Sequence, residues 1–176
     1  MEIKIRKAQR ADLASALPIY DRARKYMKEH GNPTQWPSYY PGEEDLREHE
    51  ENGELYVGVD ENGRIHMAFA FCTGDEPNYR VIEDGAWPDD EAYGTIHMLA
   101  SDGAVPGCFQ ACLEFCKSQI SNIRADTHEN NRIMNALFLK NGFVRCGTIY
   151  VENGTPRTAY QLKVNRAVVK RPCKKV

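Results

Sequence analysis

The sequence lacks what a membrane protein, a secreted protein or a nucleic-acid binder would carry. No apolar run in its 176 residues approaches the ~20 that a membrane-spanning helix requires, and no charged-then-apolar leader opens the chain. A cytoplasmic location and no membrane partner are the expectations that follow. C-x-x-C pairs are missing, so no metal is expected and disulfides are disfavoured. The six cysteines read instead as reduced and mostly buried: Cys108, Cys112 and Cys116 recur every four residues, and Cys72 and Cys146 sit in strand-like runs. Cys173-Lys-Lys-Val is not a prenylation box, because its two middle residues are lysines. No repeat or linker divides the chain, and with 41% hydrophobic and 27% charged residues it reads as one globular domain.

A strong charge of either sign is also missing, but the net −2 hides an asymmetry. Residues 165–176 hold five bases and no acid, which leaves 18 Lys and Arg against 25 Asp and Glu for residues 1–164. We therefore divide the chain into a domain, 1–164, and a basic tail, 165–176. An acidic body argues against nucleic acid as a partner. It suits a cationic substrate such as an amine, and it suits plain solubility equally well.

Two hairpins and two helices frame the domain. Ile3 and Ile5 alternate with charged residues as an opening strand, and Asp12 is the expected N-cap of a helix over Leu13 to Lys28. A loop with three prolines and several aromatics runs from His30 to Gly42, with Gln35, Trp36 and Tyr40 as substrate-side candidates or simply as packing. A short charged helix, Glu43 to Glu51, precedes strands Leu55 to Val59 and Ile65 to Cys72, joined by an Asp60-Glu61-Asn62-Gly63 turn. Thr73 to Glu91 is a long loop with seven acids, one base and the aromatics Tyr79 and Trp87. It reads either as selecting a cationic acceptor, with Trp87 on the substrate side, or as solvated surface. Two strands, Phe143 to Tyr150 and Arg157 to Val164, close the domain around Glu152-Asn153-Gly154. These exposed final strands make a homodimer a candidate state.

The organising stretch is Thr95 to Gln119. An apolar strand, Ile96 to Ala100, passes through a small-residue loop, Ser101 to Gly107, into helical spacing at Phe109, Cys112, Leu113 and Cys116. Such a turn aims backbone N–H groups and a helix dipole at an anion. A second unit follows: strand Ile123 to Asp126, then helix Asn130 to Lys140 with Asn141-Gly142 as its C-cap. Asn131, Met134, Asn135 and Phe138 share one face of that helix.

Together these residues resemble the GNAT acyltransferase superfamily. The loop is similar to that family's R/Q-x-x-G-x-G/A motif, with Ala104 and Phe109 as departures and Gly107 as a match. The helix is similar to its N-x(6)-[YF]-x-x-x-G-F signature at Asn131, Gly142 and Phe143. The resemblance spans roughly Glu2 to Val164. It implies an α/β (α+β) fold, a single domain whose central mixed sheet is flanked by helices and has splayed central strands. It further implies acetyl-CoA as co-substrate, with Leu99, Ala100 and Ser101 beside the pantetheine. Amides of Val105, Gly107, Cys108 and Phe109 would take the pyrophosphate, Asn131 would hydrogen-bond the pantetheine arm or a bridging water unless it simply caps its helix, and Phe138 joins the cofactor-binding candidates.

The implied reaction is acetyl transfer to a primary amine of a small molecule or peptide, which needs a base because amines are protonated near neutral pH. Thr95 stands where some members carry a glutamate. His97 lies on the same strand face and is the first candidate for the base, with Glu91 second; a hydrogen-bonded interior histidine is the competing reading. Phe138 replaces the family's usual tyrosine acid, so either the thiolate leaves unassisted or Tyr93 or Tyr150 donates. That replacement keeps a catalytically weak CoA-binding or sensing module as the rival, and a partner-docking role for the tail as a third reading.

Overall fold

Runs of β-branched and aromatic residues, each ended by a Gly- or Asx-containing turn, divide the chain into strands that pair mainly with their sequence neighbours. The computed structural model describes residues 2–164, and the basic tail lies outside them. The strands are β1 (Lys4–Lys7), β2 (Leu55–Val59), β3 (Ile65–Thr73), β4 (Gly94–Ser101), β5 (Asn122–Thr127), β6 (Val144–Tyr150) and β7 (Pro156–Lys163). The helices are α1 (Leu13–Glu29), α2 (Glu43–Glu51), α3 (Cys108–Gln119) and α4 (Arg132–Lys140). All seven strands join one sheet in the order β1-β2-β3-β4-β5-β7-β6, antiparallel except where β4 meets β5. The expected mixed sheet flanked by helices is therefore present. None of the described helices is long and apolar enough to cross a membrane.

Period-two alternation in β3 separates two cores. Met67, Phe69 and Phe71 face α3, where they meet Cys112, Leu113 and Cys116, whereas Ala68 and Ala70 face α1 and α2. The large residues fill the α3 side densely. The alanines bring Ala16, Tyr20 and Leu46 close to the sheet on the other side. The cysteine stripe is thus core, and five cysteines are free thiols among the described residues.

One local expectation needs correcting. Asp12 does not cap α1: it is itself helical, in a 3-10 turn, and its carboxylate accepts from the Gln9 amide at 2.8 Å and from Arg6 at 2.6 Å. The chain begins to turn at Arg10, three residues before the expected start of α1 at Leu13.

The feature that matters for function is a break in the middle of the sheet. Ala68 pairs with Ala100 and Ala70 with His97, so β4 places two residues, Met98 and Leu99, against the single Phe69 of β3. Met98 absorbs the extra residue with a left-handed backbone, φ 53°. For a non-glycine this conformation costs on the order of 1–3 kcal/mol. A bulge bends its strand. Accordingly, β4 pairs with β5 only from Gly94–Ile123 to Ile96–Ala125 and then departs from it.

Candidate active site

Where β4 and β5 part, the sheet opens into a cavity of about 1250 Å³. α1 and the 30–42 loop cover one side of it, and the start of α4 closes the other. Leu99, Ala100 and Ser101 of β4 line it, facing Asn131 and Phe138 of the α4 unit. Gln35, Trp36 and Tyr40 line it from the loop, and His97 lies in its wall beside the bulge. These residues come from segments up to a hundred positions apart, yet they form one surface.

His97 has a partner that sequence reasoning missed. Its Nε2 lies 2.9 Å from Oε2 of Glu76, a residue of the acidic loop whose other carboxylate oxygen accepts from the Asn78 amide at 3.1 Å. Burial alone would lower the His97 pKa. The hydrogen bond to Glu76 and the charge of Asp126 outweigh it, so His97 stays above its ordinary 6.5. Burial pushes the Glu76 carboxyl up, but the same histidine and the Asn78 donors bring it below its ordinary 4.5. Behind them Asp126 accepts from the Tyr79 hydroxyl at 2.8 Å and stands 4.0 Å from Arg157. Burial raises its pKa despite the opposing pull of His97, Tyr79 and Arg157.

The cavity reaches the first part of the loop that leads into α3, Ser101 to Gly103, whereas Val105, Gly107, Cys108 and Phe109 are not among its lining residues. Gly107 adopts φ 86°, a left-handed conformation suited to glycine, and no side chain caps the helix that it starts. The first N–H groups of a helix have no partner within it, so an uncapped start can hold an anion. Upstream, the Asp102 carboxylate accepts from the Ala104 amide at 2.9 Å and from His66 Nδ1 at 2.9 Å, which ties the loop to β3. Val105 and Cys108 point their side chains into the core.

No family model matches the sequence, and no curated protein matches it either. Solved structures do. A GNAT-family acetyltransferase from Streptococcus agalactiae 2603 superposes with TM-score 0.84 at 27% identity, over 93% of this chain and 96% of that one. The chain belongs to the GNAT superfamily. A GNAT-family acetyltransferase from Listeria monocytogenes 4b F2365 shares the fold at TM-score 0.69 and 21% identity, over 93% of this chain and 96% of that one. So does a GNAT phosphinothricin acetyltransferase from Sinorhizobium meliloti, solved in complex with AcCoA, at TM-score 0.62 and 16% identity, over 100% of this chain and 96% of that one.

Several residues singled out in the sequence take other positions in this GNAT domain. Glu91 is not in the cavity wall: it is drawn to Lys163 at the end of β7, 2.6 Å away. Trp87 and Tyr93 sandwich the Arg124 guanidinium, 4.1 and 4.0 Å from the ring centroids. Asp89 accepts from Asn122, Gln161 and Lys163. A buried arginine on β5 needs aromatic faces and acceptors, and it pulls the second half of the acidic loop onto the sheet end, away from the cavity. Tyr93 still touches the site indirectly, because its hydroxyl accepts from the Glu76 amide at 2.9 Å. Tyr150 bonds Glu83 instead.

Asn131 faces the cavity, but its side chain is already engaged. Its oxygen caps α4 by accepting from the Met134 amide at 3.2 Å, and its nitrogen donates to Gln35 Oε1 at 3.0 Å. Gln35 accepts there from Asn32 and Thr127 as well, while its carbonyl accepts from Arg157. It fastens the 30–42 loop to β5, α4 and β7. Phe138 packs on Phe109, Phe143 and Tyr160 and gives the GNAT cavity an apolar wall with no proton to donate.

Proposed function

We propose that the protein transfers an acetyl group from acetyl-CoA to a primary amine of a small molecule or peptide, by direct attack with both substrates bound. The observation that carries this reading is the parting of β4 from β5 at the Met98 bulge, with the His97–Glu76 pair in the wall of the opening. The residues fit such a co-substrate. Parted strands leave backbone groups of Leu99 and Ser101 to pair with an amide-bearing arm, and the uncapped start of α3 suits its pyrophosphate. Phe138 offers apolar contact. When bound, acetyl-CoA supplies an activated thioester and a thiolate leaving group. The structural neighbour in complex with AcCoA supports the same reading.

His97 is the base. Its Nε2–H donates to Glu76, so the second ring nitrogen, Nδ1, keeps the lone pair that takes the ammonium proton. Glu76 holds the ring and stabilises the imidazolium that results. Glu76, Asp126 and Asp45 place carboxylates around the cavity, which favours a cationic acceptor, with Trp36 and Tyr40 supplying apolar walls. No hydroxyl stands at position 138, so the thiolate leaves without a proton from there. Holding two reactants in register supplies much of the remaining acceleration.

The test is a panel of amines with acetyl-CoA, following free thiol release, together with thermal shifts with acetyl-CoA alone. Turnover that falls at least a hundredfold in His97→Gln supports the assignment. Binding of acetyl-CoA with no turnover on any amine would favour instead the catalytically weak CoA-binding module, which Phe138 suggests.

A further inference from the structure

On the α2 side of the same cavity, three unlike side chains converge. His49 sits near the end of α2, Glu54 just before β2, and Cys72 near the end of β3. His49 Nδ1 is 3.0 Å from Glu54 Oε2, and Cys72 Sγ is 3.4 Å from that oxygen and 3.8 Å from the His49 nitrogen. All three are half-buried. In a tetrahedral zinc site, bonds of about 2.0–2.3 Å set the N and O donors about 3.3 Å apart and sulfur about 3.6 Å from either. The triangle found here is close to that without any rearrangement.

Its backbone is locked as well. The Glu54 amide donates to the His49 carbonyl at 2.8 Å, and the Glu54 carbonyl accepts from the Phe71 amide at 2.9 Å. A ligand set held by two such bonds on a helix end and adjoining strands is preorganised.

We propose that His49, Glu54 and Cys72 form a three-ligand site for a divalent transition-metal ion, zinc first. His49 and Cys72 both line the cavity, so the fourth position opens into it for water or a substrate donor atom. A sulfur ligand disfavours magnesium and calcium, which take oxygen ligands, whereas mixed N, O and S donors suit zinc. On binding, the metal–sulfur bond forms as Cys72 releases its thiol proton to solvent, His49 moves its ring proton from Nδ1 to Nε2 and binds through the freed Nδ1 lone pair, and Glu54 binds through a carboxylate oxygen. The ligand spacing of five and then eighteen residues matches no short motif, which is why the missing C-x-x-C pairs pointed away from metal. The site stands independently of acyl transfer.

The full chain, stripped with a chelator, is titrated with Co²⁺ and then Zn²⁺. The expected result is one Co²⁺ per chain with a sulfur-to-cobalt charge-transfer band, displaced by one equivalent of Zn²⁺ with release of about one proton. Cys72→Ser should abolish the band, and Glu54→Gln should weaken binding at least tenfold. Cys146→Ser and Cys173→Ser should leave both unchanged. Melting curves of the metal-free variants confirm that each is folded. Lack of saturable binding, or a band that survives Cys72→Ser, overturns the proposal.

Discussion

Replacing Glu76 with glutamine tests the His97 assignment without needing the acceptor. The substitution removes one charge and keeps a polar side chain of the same length beside the ring. At 2.9 Å, unit charges in an effective dielectric of about 20 attract by about 6 kcal/mol. Burial of the imidazolium opposes that attraction, and the net effect of a carboxylate at this range is about 1–3 pKa units, or about 1.4–4 kcal/mol. Both side chains are mostly shielded, 22% and 16% exposed, so solvent screening takes little of it. The His97 midpoint in Glu76→Gln should therefore fall. NMR titration of the five histidine rings, assigned with His97→Gln, measures it directly. If acyl transfer is confirmed, the acid limb of kcat/KM should move to lower pH by the same amount, since neutral His97 is the base.

Stability carries the same signature. The raised His97 contributes stability that is present below its unfolded pKa and is lost as pH rises through its folded value. The lowered Glu76 contributes stability present above its unfolded pKa and lost as pH falls through its folded value. The melting difference between wild type and Glu76→Gln should thus peak at about pH 4.5–6.5 and shrink on either side. A His97 midpoint that stays in place or rises in the variant refutes the pairing.

Three further outcomes follow from the geometry. Asn131→Ala removes the α4 cap and one of the bonds to Gln35, and should cost about 1–2 kcal/mol in denaturant unfolding; a loss below about 0.5 kcal/mol contradicts the cap. Gly85→Ala would set its Cβ 2.0 Å from the Cys146 carbonyl oxygen, a backbone collision, and should lower the melting midpoint by about 4–8 °C for about 2 kcal/mol of strain. An unchanged midpoint would mean that the segment is not packed as described. Phe138→Tyr places a hydroxyl at the cavity wall and should raise kcat if thiolate departure limits turnover. An unchanged kcat in a variant of unchanged melting point refutes that limit.

Much of the frame was legible because the signals that set it are local. The Glu43–Glu51 helix, the Leu55–Val59 strand and both hairpins read out as observed, since capping, period-two patterning and Asx-Gly turns act over a few residues. The β4–α3 turn and the cysteine stripe were visible for the same reason. Asp12 was misread because its choice of partner, Arg6 on β1, is a contact between elements.

The site was legible only in outline. His97, Leu99, Ala100, Ser101 and Phe138 follow from one strand and one helix face. Glu76 meets His97 across 21 positions, and Glu91 and Trp87 are claimed by Lys163 and Arg124. Those pairings depend on strand register and on which charges burial forces together, quantities that no local window contains. The order of strands and helices was therefore set by the sequence alone through short-range chemistry. The opening at the Met98 bulge, and the partners gathered around it, were decided by tertiary packing, because only the closed sheet determines which distant groups must share a space without water.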